Sequence, residues 1–118
     1  MSYDLALHDP VNGCILELDY LHDMRGGTYA VGGSALAELN ITWNYANHYY
    51  RVFGEQGLRT IYGKTGAESI PILQDAISQL ADDATDNYWD GTEGNAKRAL
   101  CQCLAFAQIR PDGIWNGD

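Results

Sequence analysis

Arg25, followed by Gly26, Gly27, Thr28 and Tyr29, is the combination in this chain best suited to hold an anion. Glycines let backbone N–H groups approach a ligand closely, and an arginine adds a fork of donors. No helical pattern follows directly, and a helix N-terminus is what makes phosphate loops selective. A tight inter-strand loop accounts for the same residues. Asn95 and Arg98, just after Thr92, Glu93 and Gly94 at a helix start, form a second group of this type. There an anion would meet the helix N-terminus, or the bases, Lys97 among them, would simply pair with Glu93 or Asp90. Tyr50 and Arg51 complete the candidate ligand-binding set, with bases for a nucleotide-like anion and rings to stack on it.

A different chemistry is suggested by residues 43–51, the densest mixture of rings and polar groups in the chain. At helical spacing Trp43, Asn47, Tyr50 and Arg51 share one face, while Tyr45, His48, Tyr49 and Val52 share another. One face must be core. The other then presents rigid amphipathic rings of the kind favoured at binding hot spots, or rings that cover the sheet with only their hydroxyls in water. Asp82, Asp83, Asp86, Asp90 and Glu93 crowd a short stretch that also carries Tyr88 and Trp89. Carboxylates in such a row imitate phosphates along a strand, or solvate a loop; they lack the residue order of a calcium loop. Trp43, Asn47, Asp82, Asp83, Asp86, Trp89 and Asp90 are the candidate partner-binding residues.

Catalytic signatures are missing. There is no nucleophile elbow, no HExxH and no P-loop. His8, His22 and His48 are scattered, so only the fold can bring one to a partner. The one enzymatic arrangement worth carrying forward is His48 with Tyr49 and an acid of the 82–93 region, as in a small hydrolase or transferase. Cys14, Cys101 and Cys103 are odd in number, which suits reduced, mostly buried thiols better than disulfides. Within a helix Cys101 and Cys103 point about 200° apart, so they make a poor zinc pair. No metal, cofactor or catalytic residue is assigned.

The elements that must position these residues follow from periodicity. Residues 3–8 and 14–19 alternate about Asp9-Pro10-Val11-Asn12-Gly13, which predicts a β-hairpin. Two glycine pairs flank residues 28–31, a short strand between loops, and residues 35–42 continue as a strand. The spacing then predicts a helix from Thr42 or Asn44 to Phe53, stopped by Gly54. Thr65 to Glu68 reads as a capping box, although Pro71 would also suit a start at Ser69. Ile70, Leu73, Ile77 and Leu80 give that helix its apolar stripe. A last helix spans about 92–108 with Ala96, Ala99, Leu100, Cys103, Leu104 and Ala107 inward. Ile114 and Trp115 fold back on the body. The fold class is α+β: one domain, with an N-terminal antiparallel sheet of three to four strands packed against about three C-terminal helices.

Composition narrows the partners. The 118 residues carry 16 acids against 7 bases, a net charge of −9, and 46% are hydrophobic. The hydrophobic share predicts a globular chain, and no apolar run is long enough to span a bilayer. The charge disfavours a direct grip on nucleic acid or on an anionic membrane. It favours a protein with a basic surface, or serves solubility alone. The start of the chain has neither a basic nor an apolar leader region, so a cytoplasmic location is expected. A symmetric dimer is the commonest assembly for proteins of this kind.

The segments MRGGTYAVGG, NITWNYANHYYRVFG, GLRTIYGKTGAESIPIL, TEGNAKRAL and RPDGIW resemble a family of short uncharacterised proteins of phages, prophages and gut bacteria. The likeness covers nearly the whole chain and implies a compact accessory protein of a mobile element, inside a bacterial host. It brings no activity or site residue with it. The leading expectation is a non-enzymatic binding protein, plausible as an acidic inhibitor of a host defence system. A small-ligand binder for a nucleotide-like anion is the alternative, and a hydrolase or transferase the second.

Overall fold

Tyr3, Leu5 and Leu7 alternate with polar or small residues, and that alternation makes the first strand the spine of the molecule. In the computed structural model, which describes residues 2–25 and 29–118, strand β1 is Ser2–His8. Strands β2 (Glu17–Arg25), β3 (Tyr29–Leu36), β4 (Glu38–Thr42) and β5 (Ile114–Gly117) follow, with helices α1 (Ala46–Phe53), α2 (Gly66–Ser78) and α3 (Glu93–Ile109) between β4 and β5. β1 is the centre of a three-stranded antiparallel sheet in the order β4-β1-β5, and β2 and β3 form a separate two-stranded ribbon. The α+β class and the antiparallel sheet are as expected. The third strand of the sheet, however, comes from the C-terminal end of the chain.

Register explains the core. Tyr3 lies opposite Ile41, Leu5 opposite Leu39 and Leu7 opposite Trp115, so six buried side chains point to one face. Helices α2 and α3 cover that face with Leu73, Ala76, Ala96, Ala99, Leu100, Cys103 and Phe106. The fold-back of Ile114 and Trp115 is strand β5. Its outer edge is closed by residues 63–65: Gly63 N–H donates to the Trp115 carbonyl (2.8 Å) and Trp115 N–H to that of Lys64 (2.9 Å). The Trp115 indole donates to Ser69 Oγ at 2.8 Å, tying β5 to α2.

The expected hairpin is corrected. The turn forms as its residues require: Asp9 Oδ1 accepts from the amides of Val11 and Asn12, and Asn12 Oδ1 from that of Cys14. Pairing then lasts only through the bridge of His8 to Ile15. At Leu7, Leu16 and Ala37 three backbones close a ring of hydrogen bonds: Leu7 N–H to Ala37, Ala37 N–H to Leu16, and Leu16 N–H to Leu7. Beyond this junction β2 leaves to pair with β3. A strand edge takes one partner at a time, and β4, with Leu39 and Ile41, takes the rest of this edge of β1.

The helical expectations hold with shifts at the ends. A 3-10 turn, Trp43–Tyr45, precedes α1, and Gly54 at φ +101 ends it as a glycine stop should. Tyr45 of the turn and Ala46 and Tyr49 of α1 are buried, which leaves Asn47, Tyr50 and Arg51 exposed, with Trp43 half-buried against the core. The ambiguous 57–63 stretch contains a 3-10 helix, Gly57–Ile61. The capping box of Thr65 and Glu68 is complete in both directions. Helix α2 therefore starts before Pro71 and runs through it. That proline lacks the N–H for the Ala67 carbonyl, but both residues face water, so the loss is tolerated. Cys14 and Cys101 are exposed and Cys103 is buried, so the expectation of mostly buried thiols is corrected; all three are free. Among the described residues no helix is long and apolar enough to cross a membrane.

Candidate functional site

The acidic stretch, expected to be a polar loop, is a fastened structure. Asn95, in the first turn of α3 and only 1% exposed, reaches back into it. Its Oδ1 accepts from Thr85 N–H at 2.9 Å, and its Nδ2 donates to Thr85 Oγ1, the Asn87 carbonyl and the Asp90 carbonyl at 3.2, 3.0 and 3.0 Å. Asp83 Oδ1 accepts from Gly94 N–H, and Thr92 Oγ1 from Asn95 N–H, which caps α3 twice. Arg98 donates to the Thr85 carbonyl. The 82–92 loop passes so close to α3 that a side chain at position 94 would collide with the backbone of Asp83 and Ala84.

The same loop is locked to the start of α1 and to the sheet. Asn44 Nδ2 donates to the Trp89 carbonyl at 2.8 Å, and His48 Nε2 to the Gly91 carbonyl at 2.7 Å. The Tyr45 hydroxyl donates to the Tyr88 carbonyl. Tyr88, fully buried, inserts its own hydroxyl at the outer edge of β4: it accepts from Thr42 N–H (2.5 Å) and donates to the Asn40 carbonyl (3.0 Å). A side chain thus satisfies backbone groups that would otherwise offer an open strand edge.

What this anchoring displays is Trp89, 47% exposed, beside the exposed carboxylates of Asp82, Asp83 and Asp86. Asp90 accepts from Thr85 Oγ1 and Asn87 Nδ2 and is half-buried. Asn44, Asn47 and Tyr50 continue the exposed surface along α1, with His48 half-buried between them. Arg51 joins α1 to α3 through Glu93 at 2.7 Å, and Lys97 pairs with Asp82 at 2.7 Å. At the far end Trp43 is sandwiched. Its ring lies 4.8 Å from that of Tyr3, with Tyr50 edge-on at 6.4 Å, and the Arg59 guanidinium sits 5.2 Å from its centroid and 5.3 Å from that of Tyr3. Burial, with Tyr50 nearby, pushes the Tyr3 phenol up to about 12 against the opposing pull of Arg59.

Of the seven candidate partner-binding residues, Asn47, Asp82, Asp83, Asp86 and Trp89 are exposed on the side formed by α1 and the 82–92 loop, which Asn44 and His48 join, whereas Trp43 and Asp90 are half-buried. The candidate ligand-binding residues divide. Tyr50 and Arg51 belong to this same side, Asn95 and Arg98 hold the loop from beneath, and Arg25 pairs with Tyr29 at the end of the β2–β3 ribbon. Gly26, Gly27 and Thr28 lie outside the described residues, as do the side chains of Arg25 and Tyr29. Among the described residues His48 meets the Gly91 carbonyl, and the Tyr49 hydroxyl is buried and donates to the Ala96 carbonyl at 3.0 Å. Burial, with Cys103 and other tyrosines nearby, holds the Tyr49 phenol well above its ordinary value.

Sequence reasoning missed Tyr88 as the edge plug, Asn44 as a fastener and Arg59 as the cation on the rings. Tyr88 and Asn44 act across more than forty residues, which no local pattern reports. Asn95 did carry a signal, an asparagine three places after a capping threonine. No known family model, curated protein or solved structure matches the chain.

Proposed function

We propose that this protein is a non-enzymatic binding protein whose partner is a protein with a basic surface. The face formed by α1 and the 82–92 loop is the binding surface. The observation that carries the reading is Trp89, half exposed on a loop whose backbone is held by buried Asn95, by Asn44 and by His48. One side of the ring packs edge-on against Tyr88 at 5.0 Å; the exposed remainder gains nothing for folding, but a ring on a pinned loop lowers the ordering cost of binding. Trp89 would anchor in a pocket of the partner, and Asp83 and Asp86, with Asp82 if it exchanges Lys97 for a partner base, would face its lysines and arginines. On this face Arg51 and Lys97 are paired with Glu93 and Asp82, and among the described residues Asp83 and Asp86 have no ion-pair partner, so they carry its acidic charge.

The resemblance to phage and prophage proteins gives the reading a setting: an accessory protein of a mobile element that occupies the nucleic-acid channel of a host defence enzyme. The test is capture from a bacterial extract with the wild-type chain, Trp89→Ala and Asp86→Asn in parallel. A partner retained by the wild type, lost with either variant and released by salt supports the reading. Equal capture by all three contradicts it.

Arg59 favours a second reading, a small anionic ligand bound against Trp43 and Tyr50. Among the described residues this guanidinium has ring contacts but no carboxylate partner. Thermal-shift measurements against nucleotides decide it: stabilisation that rises with concentration and is lost in Arg59→Gln supports the ligand, and a flat response removes it.

A further inference from the structure

A cleft of about 330 Å³ is lined by Val52 and Phe53 at the end of α1, by Thr60, and by Pro71, Ile72 and Asp75 of α2. Val52, Phe53 and Ile72 are half-buried and pack on the core, so the walls are apolar. Two polar residues line it, Thr60 and Asp75. Asp75 stands in the last turn of α2, which contains no basic residue. A carboxylate there opposes the negative end of the helix dipole, a place that favours a cation. Its carboxylate accepts from Gln79 Nε2 at 3.0 Å, and among the described residues it has no ion-pair partner. The lining carries no base, and the chain as a whole carries −9.

We propose that this cleft binds a small organic cation, a protonated primary amine bearing an aryl or branched alkyl group. The apolar group packs between Phe53, Ile72 and Pro71. The ammonium meets Asp75 at the helix end, with the Thr60 hydroxyl as a second acceptor. The volume lies at the small end of ligand sites, which suits a single ring with a short chain. A carboxylate ligand would face both Asp75 and the helix end and is excluded by the same charges.

The test uses the full chain with phenethylamine, its neutral analogue phenethyl alcohol and its anionic analogue hydrocinnamate, read by shifts of the Val52, Phe53 and Ile72 resonances on titration. Phenethylamine should bind at these residues, the alcohol about tenfold more weakly, as for loss of a charged hydrogen bond, and hydrocinnamate not at all. Asp75→Asn should weaken the amine by about the same factor. Asp75 is exposed and the substitution removes a charge that opposes the helix dipole, so the urea midpoint of Asp75→Asn should not fall. Ile72→Trp, which fills the cleft, should abolish binding while its unfolding transition reports whether it is folded. Equal binding of amine and alcohol, an unchanged affinity in Asp75→Asn, or no shift at Val52, Phe53 and Ile72 with any probe would overturn the proposal.

Discussion

Replacing Asn95 with alanine should free the 82–92 loop while leaving the sheet and helices folded. The side chain accepts one hydrogen bond from Thr85 N–H, and its two amide hydrogens are shared among Thr85 Oγ1, Asn87 O and Asp90 O, so it makes about three full bonds. At a net ~0.5–1.5 kcal/mol each, less what water restores once the loop opens, the loss should be about 2–4 kcal/mol. With a urea slope of roughly 1–3 kcal/mol per molar, the midpoint should fall by about 1–2 M. Amide exchange gives the local readout, because Thr85 N–H loses its acceptor and should exchange far faster. Asn95→Asp sharpens the test. Its carboxylate keeps the acceptor for Thr85 but sets an oxygen against the carbonyls of Asn87 and Asp90. Protonation would restore one donor, so the deficit of Asn95→Asp should shrink as pH falls while that of Asn95→Ala does not. A stability loss below about 0.5 kcal/mol in the alanine variant, with Thr85 still protected, would refute the idea that Asn95 holds this loop.

Tyr88→Phe removes the hydroxyl that serves Thr42 N–H and Asn40 O, leaves both at an unplugged edge, and should cost about 1–3 kcal/mol in urea unfolding with more association on concentration. Trp89→Ala loses the covered half of the ring and its contact with Tyr88, so it should cost about 1–3 kcal/mol and leave the chain folded, yet remove partner binding. With a thiol reagent at mildly alkaline pH, Cys14 and Cys101 should react in the folded protein and Cys103 only after unfolding. Burial pushes the Cys103 thiol up to about 12, and it also raises that of Cys101. Tyr3 sets an alkaline limit. Its folded value near 12 lies above the ordinary 10, so its contribution is complete below pH 10 and is lost as pH rises from 10 through 12. Absorbance titration should show its ionisation arriving together with loss of tertiary signal.

The parts of the fold legible in the sequence were those written locally. The capping box at Thr65 and Glu68, the stop at Gly54 and the alternation of Tyr3, Leu5 and Leu7 depend on near neighbours, and each is realised. Partner choice among strands was not legible. Residues 14–18 alternate as well as residues 38–42, and only the joint burial of Tyr3 with Ile41 and Leu5 with Leu39 decides which takes the edge of β1. The candidate site shows the same division. The amphipathic split of residues 43–51 could be drawn from spacing, and Tyr45 and Tyr49 proved to be the core side. That the acidic stretch would be braced by Asn95 and would plug β4 with Tyr88 depends on contacts between distant parts of the chain.

The binding face is tested most directly by measuring retention of a basic bacterial protein on immobilised wild-type chain and on a Trp89→Ala, Asp86→Asn double variant, at low and high salt. The account predicts salt-sensitive retention by the wild type and none by the folded double variant. Retention by the double variant equal to that of the wild type would contradict it.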